Sequence, residues 1–151
     1  MANVFDVAAY ILRKSPQGMT AMKLQKLVYY SQAWSLVWDE KPLFPEEIQA
    51  WANGPVVPAL YDAHRGAFTV EANDIARGNP NALNEQERET VDAVLRFYGP
   101  KSAHELSELT HCEQPWMSAR RDLAPGQRGS EIISHASMAE YYDGLTQRSC
   151  G

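Results

Sequence analysis

The segment from Ala21 to Trp38, AMKLQKLVYYSQAWSLVW, is the feature that most constrains the fold. Thr20 is a suitable N-cap, and the residue spacing after it predicts a helix through about Trp38. Apolar residues occupy two faces of this helix: Leu24, Leu27, Val28, Trp34 and Trp38 on one, and Met22, Tyr29, Tyr30, Ala33, Leu36 and Val37 on the other. The remaining polar strip is narrow and includes Lys23, Gln25, Lys26 and Gln32. A helix that is apolar on nearly every side is covered on several sides, so this segment predicts the buried central helix of a bundle.

Capping residues and helix breakers divide the rest of the chain into further helices. Their predicted starts are at or just after Asn3, Glu46, Pro58, Asn84, Ser102 and Ser137, and a further helical turn is predicted from Pro115. The short helix from Glu46 would run toward Trp51 and be ended by Asn53-Gly54, and the helix from Ser137 would end at Leu145. Residues 66–83 lack a sustained period and predict a loop with a short extended piece at 68–70, and residues 130–134 predict another extended piece. We therefore expect one domain over residues 1–151, of the all-α class, with about six or seven helices and little or no strand.

The stretch WANGPVVPALYDAH, residues 51–64, predicts a stiff corner. Pro55 holds Gly54 in an extended conformation, and Pro58 does the same to the residue before it. Pro58 is also suited to the first position of a helix, where its missing N–H would have no partner. Gly54, Pro55 and Pro58 are therefore the predicted structural corner, with Val56 and Val57 as its apolar core.

Composition and charge narrow the function classes. The chain has 151 residues and a net charge of -5, which disfavours broad contact with nucleic-acid phosphates. No apolar run approaches the roughly eighteen residues of a membrane span, and Arg13 and Lys14 follow the first apolar segment rather than precede it. The two cysteines, Cys112 and Cys150, form no CxxC pair. We expect a cytoplasmic protein with no nucleic-acid or membrane partner.

A search for catalytic and metal-binding residues gives little. The chain contains no GxSxG, GxxxxGK[ST], GxGxxG or HExxH motif. His104, His111, Cys112 and Glu113 form the most suggestive cluster, but adjacent residues on a helix point apart rather than toward one ion. A metal site here, or a nucleophilic pair of Cys112 with a histidine, is a weaker alternative than a structural role for these residues. We expect no catalytic residue, no metal and no cofactor, and hence no enzyme.

Basic residues beside aromatic rings have a plain structural interpretation. Lys23 and Lys26 are expected to lay their stems on the apolar face of the central helix and keep their ammonium groups in water. Arg120, Arg121 and Arg128 cluster near Trp116 in the sequence, and we interpret them as solvated surface arginines.

Tryptophan and tyrosine side chains are abundant in this chain, and those at the edge of the core are favoured anchors for a protein partner. Trp51 and Tyr61 lie on either side of the stiff corner and are the leading candidates for such anchors. A rigid support lowers the entropy that a ring loses on binding. The complete set of candidate partner-binding residues is Trp51, Tyr61, Lys26, Trp116 and Arg120.

Three blocks of the sequence resemble the Panacea-domain family of SocA- and GepA-like antitoxins, which were once labelled phage-associated. The blocks are MTAMKLQKLVYYSQAW (19–34), KPLFPEEIQAWANGPVVPALYDAH (41–64) and LTHCEQPWMSAR (109–120). They correspond to the family patterns K-L-Q-K-L-x-Y-Y-x-Q, P-L-F, A-W-x-x-G-P-V-V-P-x-L-Y and L-T-H-x-E-x-P-W. Ser31 takes the place of a common alanine in the first block.

The resemblance implies a compact, mostly helical antitoxin that neutralises a genetically linked protein toxin by direct binding. An alternative that it also implies is a proteolytic adaptor that delivers the bound toxin to an AAA+ protease. Under either interpretation the protein would belong to a toxin–antitoxin system of prophage or phage-defence type. The resemblance implies no enzymatic activity.

Overall fold

The central element of the fold is a long helix that other helices cover on several sides. The computed structural model describes residues 2–149, so Cys150 lies outside the described residues. The helices are α1 (Val4–Arg13), α2 (Ala21–Trp38), α3 (Pro58–His64), α4 (Glu85–Tyr98), α5 (Ala103–His111), α6 (Gln114–Ala119) and α7 (His135–Ser149). The strands are β1 (Met19–Thr20), β2 (Gln49–Trp51), β3 (Gly54–Val56) and β4 (Thr69–Val70), and one 3-10 turn spans Ala72–Asp74. The mostly helical class is confirmed, with more strand than the sequence predicted.

Helix α2 has the central position that its sequence predicts. The Thr20 hydroxyl accepts a hydrogen bond from the Lys23 amide at 3.1 Å and caps the helix. α2 contacts α1, α3, α4, α5 and α7, and Leu24, Leu27, Val28, Tyr29, Tyr30 and Ala33 from both predicted faces are buried. Because burying one large apolar side chain stabilises a fold by roughly 1.5–3 kcal/mol, this helix accounts for much of the core.

Three of the surrounding helices begin with the same reciprocal capping arrangement. In α1 the Asn3 side chain accepts from the Asp6 amide while the Asp6 carboxylate accepts from the Asn3 amide. The same exchange opens α4 with Asn84 and Glu87 and opens α5 with Ser102 and Glu105. Each pair satisfies two backbone N–H groups that the first turn of a helix leaves without a partner. These starts were predictable because a capping box is local in the sequence.

The predicted helix from Glu46 to Trp51 is wrong. Residues 49–51 form β2, which pairs antiparallel with β3 through Ala50 and Pro55. Burial alternates along this stretch, because Ile48 and Ala50 are buried whereas Gln49 and Trp51 are only partly so. That period of two is the signature of a strand, but it extends over only four residues and is weak beside the helix-favouring glutamates before it.

Both predicted extended pieces are confirmed. β4 pairs antiparallel with β1, with Val70 opposite Met19. The segment 131–133 runs beside β2: the Ala50 amide donates to the Glu131 carbonyl at 2.8 Å, and the Ile133 amide donates to the Ile48 carbonyl at 2.9 Å. The β2–β3 hairpin is therefore held on its outer edge by a segment that is distant in the sequence.

The start of α3 matches the prediction for the corner. Pro58 is the first residue of α3, after Val57 in an extended conformation. Val56 and Val57 are buried, and Val57 is fully so. The last helix begins two residues before its predicted start, at His135. No helix in the described part of the chain is long and apolar enough to cross a membrane.

Candidate partner-binding groove

The polar side chains of α2 bind the backbone of loops that pack against it. The Gln32 carboxamide oxygen accepts hydrogen bonds from the Leu43 amide at 2.7 Å and the Phe44 amide at 3.2 Å, and its nitrogen donates to the Phe44 carbonyl at 2.9 Å. Gln32 is fully buried. A buried amide side chain is stable only when such partners satisfy it. The P-L-F segment is thus fixed to the central helix by one glutamine.

Gln25 and Lys26 fix the corner in the same way. The Gln25 oxygen accepts from the Val57 amide at 2.9 Å, and its nitrogen lies 3.4 Å from the Val57 carbonyl oxygen. The Lys26 ammonium donates to the Pro55 carbonyl oxygen at 3.2 Å. Lys26 is only 1% exposed, so the prediction that its ammonium reaches water is wrong. Burial lowers the pKa of this ammonium to about 8.

His64 of α3 closes the same polar contact. Its Nε2 lies 2.9 Å from the Gln25 amide nitrogen. Because an amide nitrogen donates, the histidine Nε2 accepts, which requires the neutral ring with its proton on Nδ1. Burial, together with the charge of Lys26, lowers the pKa of His64 and favours that neutral form.

Gly54 provides the space that Lys26 occupies. Its φ of +124° lies in a region that side-chain-bearing residues rarely adopt. A Cβ atom at this position would lie 2.4 Å from the Lys26 Cε. The backbone angle therefore favours glycine in the G-P-V-V-P pattern, and the end of the Lys26 side chain occupies the space where a Cβ would lie.

A second polar centre joins α2 to the L-T-H-x-E block, and we call it the tyrosine cluster: Tyr29, Tyr30, Tyr142 and Glu113. The Tyr30 and Tyr142 hydroxyls each donate to Glu113 Oε1 at 2.7 Å. Since the single Tyr142 proton is used in that bond, Tyr29 donates to the Tyr142 oxygen, 3.0 Å away. Glu113 is buried, and burial raises the pKa of its carboxyl to about 7 despite the two tyrosine donors.

Trp116 and Arg120 support the hairpin from behind. The Trp116 indole donates to the Trp51 carbonyl at 2.8 Å, and Arg120 Nη1 donates to the Ala50 carbonyl at 3.0 Å. Arg120 also donates to the Gln127 carbonyl and lies over the Trp116 ring. It is 5% exposed, so its interpretation as a solvated surface arginine is wrong. Its acceptors are backbone carbonyls, which no local sequence pattern reveals.

The hairpin, α3 and the first turns of α2 enclose a groove of about 980 Å³, which we call the hairpin groove. It is lined by Ala21, Met22, Gln25, Lys26, Trp51, Ala52, Asn53, Val56, Tyr61, His64, Gly66, Ala67, Phe68, Gly126, Arg128, Gly129 and Ser130. The rings of Trp51 and Tyr61 meet edge to face, with centroids 5.0 Å apart. Both rings are half-buried, whereas Phe68 is 80% exposed and Met22 is 39% exposed.

The structure divides the five candidate partner-binding residues into two groups. Trp51, Tyr61 and Lys26 are lining residues of the hairpin groove, and Lys26 is almost fully buried there. Trp116 and Arg120 lie behind the hairpin and do not line the groove. A binding role for any of the five stays a prediction. Phe68 was not among the candidates, because the loop around it has no period that would indicate where its ring lies.

The His111–Cys112 segment has a structural arrangement. The His111 ring stacks on Trp116 with centroids 4.1 Å apart and an interplanar angle of 18°. Cys112 is an exposed free thiol at the end of α5. The described residues include no group of three or more His, Cys, Asp or Glu residues placed to hold a metal ion.

The fold is mostly helical, and its three sequence blocks are held together by buried polar side chains such as Gln25, Gln32 and Glu113. The family model of the SocA-like antitoxin, Panacea domain, matches residues 24–117, which is more than half of the chain. The chain therefore belongs to the Panacea-domain family of SocA-like antitoxins. Comparisons with curated proteins and with solved structures gave no match.

Proposed function

We propose that this protein is an antitoxin that neutralises a genetically linked protein toxin by binding it directly through the hairpin groove. The family supports a toxin as the partner. The observation that carries the choice of surface is the groove itself, whose lining includes Trp51, Tyr61, Phe68 and Met22. Aromatic residues and methionine are enriched at protein–protein interfaces relative to other surfaces.

The contacts that hold Trp51 in place in the free protein favour binding through its ring. The Trp51 backbone is held by the Trp116 indole, its ring nitrogen donates to Gln49 Oε1 at 2.9 Å, and Pro55 stiffens the paired strand. A side chain already ordered in the free protein loses less entropy when a partner covers it. We therefore expect Trp51 to carry a large share of the binding free energy, with Trp51→Ala weakening binding by roughly 2 kcal/mol or more.

Neutralisation by binding needs no chemical step, and we propose that the protein acts without catalysis. Cys112 provides the test of that statement, because it is exposed and its thiol is the nucleophile that an enzymatic interpretation would require. Cys112→Ala should neutralise the toxin as well as the wild type does. Loss of neutralisation by a folded Cys112→Ala protein would favour a catalytic mechanism.

The deciding experiment is co-expression with the product of the neighbouring gene, scored by growth and by co-purification. Phe68→Ala is the groove variant, and Phe97→Ala is its matched control, because Phe97 is 66% exposed on α4 and outside the groove. We expect Phe68→Ala to weaken the complex and reduce growth rescue, and Phe97→Ala to retain both. Equal behaviour of the two variants would place the interface elsewhere.

The same assay in a strain without its AAA+ proteases separates direct neutralisation from the adaptor alternative. Direct binding predicts that growth rescue persists in this strain. Rescue that disappears there, with the complex still forming, would support delivery of the toxin to a protease instead.

A further inference from the structure

The 131–133 segment lies at the edge of a small antiparallel arrangement, beyond β2 and β3. Ile132 is opposite Gln49 of β2 in an antiparallel bridge. The two hydrogen bonds of this bridge belong to the residues on either side of it, Glu131 and Ile133. In antiparallel pairing, a residue between two such bonds directs its own N–H and C=O away from the paired strand. The backbone groups of Ile132 therefore point outward, away from β2.

These outward groups have no partner within the described part of the chain. Neither the N–H nor the C=O of Ile132 forms a hydrogen bond within residues 2–149, and the same holds for Ser130. Ser130 precedes Ile132 by two residues, which is the spacing at which residues of a strand have the same orientation. Both residues are exposed. We call the backbone groups of Ser130 and Ile132 the free edge.

A free edge of this kind fits one class of ligand, an extended polypeptide. Unpaired N–H and C=O groups at strand spacing are a template for another strand, because an extended chain presents the complementary groups at the same spacing. Proteins that bind partners in this way obtain affinity from main-chain hydrogen bonds and specificity from the side chains at alternate positions. The side chains beside the free edge therefore indicate which extended segment fits.

The side chain of Ile132 continues the surface of the hairpin groove. It is 58% exposed and lies on the same face as Gln49, since residues directly opposite each other share a face. Trp51 lies on that face too, and its ring nitrogen donates to Gln49 Oε1 at 2.9 Å. Ser130 is itself a lining residue of the groove. An added strand would thus place an apolar side chain against Ile132 and continue toward the rings of the groove.

Charge separates a basic partner from a second copy of this chain. Glu131 is exposed beside the free edge, and the whole chain has a net charge of -5. If two copies paired about a two-fold axis centred on residue 130, 131 or 132, Glu131 would lie opposite its own copy or two positions from it on the same face. Like charges opposite each other destabilise a strand pair, whereas opposite charges stabilise it. The free edge therefore disfavours self-pairing and favours a basic segment.

We propose that an extended segment of the toxin pairs with the free edge as an added strand, with an apolar side chain against Ile132 and a lysine or arginine beside Glu131. The hairpin groove then binds the residues that lead into this strand. This inference rests on the proposed function, because it specifies how the toxin binds beside the groove.

Residue-resolved hydrogen–deuterium exchange of the full-length protein tests the pairing, alone and in complex with the product of the neighbouring gene. In the free protein the amides of Ser130 and Ile132 should exchange rapidly, since they have no acceptor in the described chain. In the complex we expect both to slow by at least about a hundredfold. The amide of Glu131 points the other way and should slow much less. An unchanged rate at Ile132, or equal slowing at all three residues, would overturn the proposal.

A proline variant tests the backbone bond in binding. Ile132→Pro removes an N–H that forms no bond within the described residues, and proline is tolerated at a strand edge of this kind. We expect it to weaken toxin binding at least about tenfold. Ile132→Ala keeps the N–H and is the matched control, so it should weaken binding less. A folded Ile132→Pro protein that binds as well as Ile132→Ala does would contradict the proposal.

A charge reversal tests the basic residue of the partner, and it keeps the test valid if Ile132→Pro does not fold. Glu131→Lys should weaken toxin binding severalfold. Glu89→Lys, an equal charge change at an exposed site on α4, should leave binding unchanged. Equal affinities of the two variants would mean that no basic residue of the toxin lies beside Glu131.

Failure of this inference can be told from failure of the proposed function. If the complex forms but the exchange of Ile132 and the binding of Ile132→Pro are both as in the controls, the added strand is ruled out while direct binding stands. Sedimentation of the free protein as a dimer with a protected Ile132 amide would assign the free edge to a second copy instead. If the wild type forms no complex with the product of the neighbouring gene, the proposed function itself is wrong.

Discussion

Glu113 and Lys26 are both buried ionisable groups, but their surroundings differ in kind. Two hydroxyl donors at 2.7 Å satisfy Glu113 inside the tyrosine cluster, in the interior between α2 and α7. Lys26 has a single carbonyl acceptor at 3.2 Å and is almost fully buried beside the hairpin groove. Burial alone therefore does not determine how well an ionisable side chain is hydrogen-bonded within the fold. Glu113 accepts two hydrogen bonds at Oε1, whereas the Lys26 ammonium makes one weaker bond with one of its three donors.

The largest expected difference between the two regions is in stability. Tyr30 is fully buried and stacks on Tyr98 with ring centroids 3.9 Å apart, so Tyr30→Ala should lower the free energy of unfolding by about 3–5 kcal/mol. Tyr61→Ala removes an equal volume at the half-exposed edge of the groove and should cost about 1 kcal/mol. Urea unfolding of both variants measures the difference. Similar losses would mean that the groove edge is as much a part of the core as the tyrosine cluster.

The tyrosine cluster should make stability depend on pH in the acidic range. The pKa of Glu113 is about 7 in the fold and near 4.5 in the unfolded chain, so the folded state binds more protons between these values. The contribution of Glu113 to the free energy of unfolding therefore falls by about 3 kcal/mol as pH rises from 4.5 to 7. Glu113→Gln should remove this fall, which the difference between the two proteins' urea unfolding curves across that range measures. A difference that does not change with pH would mean that Glu113 titrates normally in the fold.

Lys26 should make the free energy of unfolding depend on pH in the opposite direction, and in the alkaline range. The pKa of Lys26 is about 8 in the fold and 10.5 in the unfolded chain, so the unfolded state binds more protons between these values and stability rises with pH there. At pH 7 the wild type retains the penalty of a buried ammonium, which Lys26→Met relieves while losing the bond to Pro55. We expect Lys26→Met to be about 1–2 kcal/mol more stable at pH 7, with the gain shrinking by pH 10. A destabilised Lys26→Met protein at pH 7 would indicate that the hydrogen bond to Pro55 outweighs the penalty of burying the ammonium.

The two regions also differ in how far the sequence predicts them. The burial of α2 and the capped starts of α1, α4 and α5 follow from local patterns, and so does Pro58 at the start of α3. The positions of Lys26 and Arg120 do not, because their acceptors are backbone carbonyls of Pro55 and Ala50 that the chain brings close only when it folds. The hairpin was missed for a related reason: Gln49–Trp51 is too short to establish a period of two, and its pairing partner 131–133 is distant in the sequence. The groove depends on these non-local contacts, so the sequence predicted two of its rings and not its shape.

The smallest expected change in the free energy of unfolding is at Pro58, in the corner before α3. This residue sits at the first position of α3, where its fixed φ suits the helix and no N–H is needed, so its main contribution is to restrict the unfolded chain. Pro58→Ala should lower the free energy of unfolding by under about 1 kcal/mol and leave the pH dependence of both Glu113 and Lys26 unchanged. Pro125→Ala, in an exposed loop, is the matched control and should have a similarly small effect. If Pro58→Ala alone loses more than about 2 kcal/mol, or shifts the alkaline dependence assigned to Lys26, the proline stabilises the folded state by packing as well as by restricting the unfolded chain.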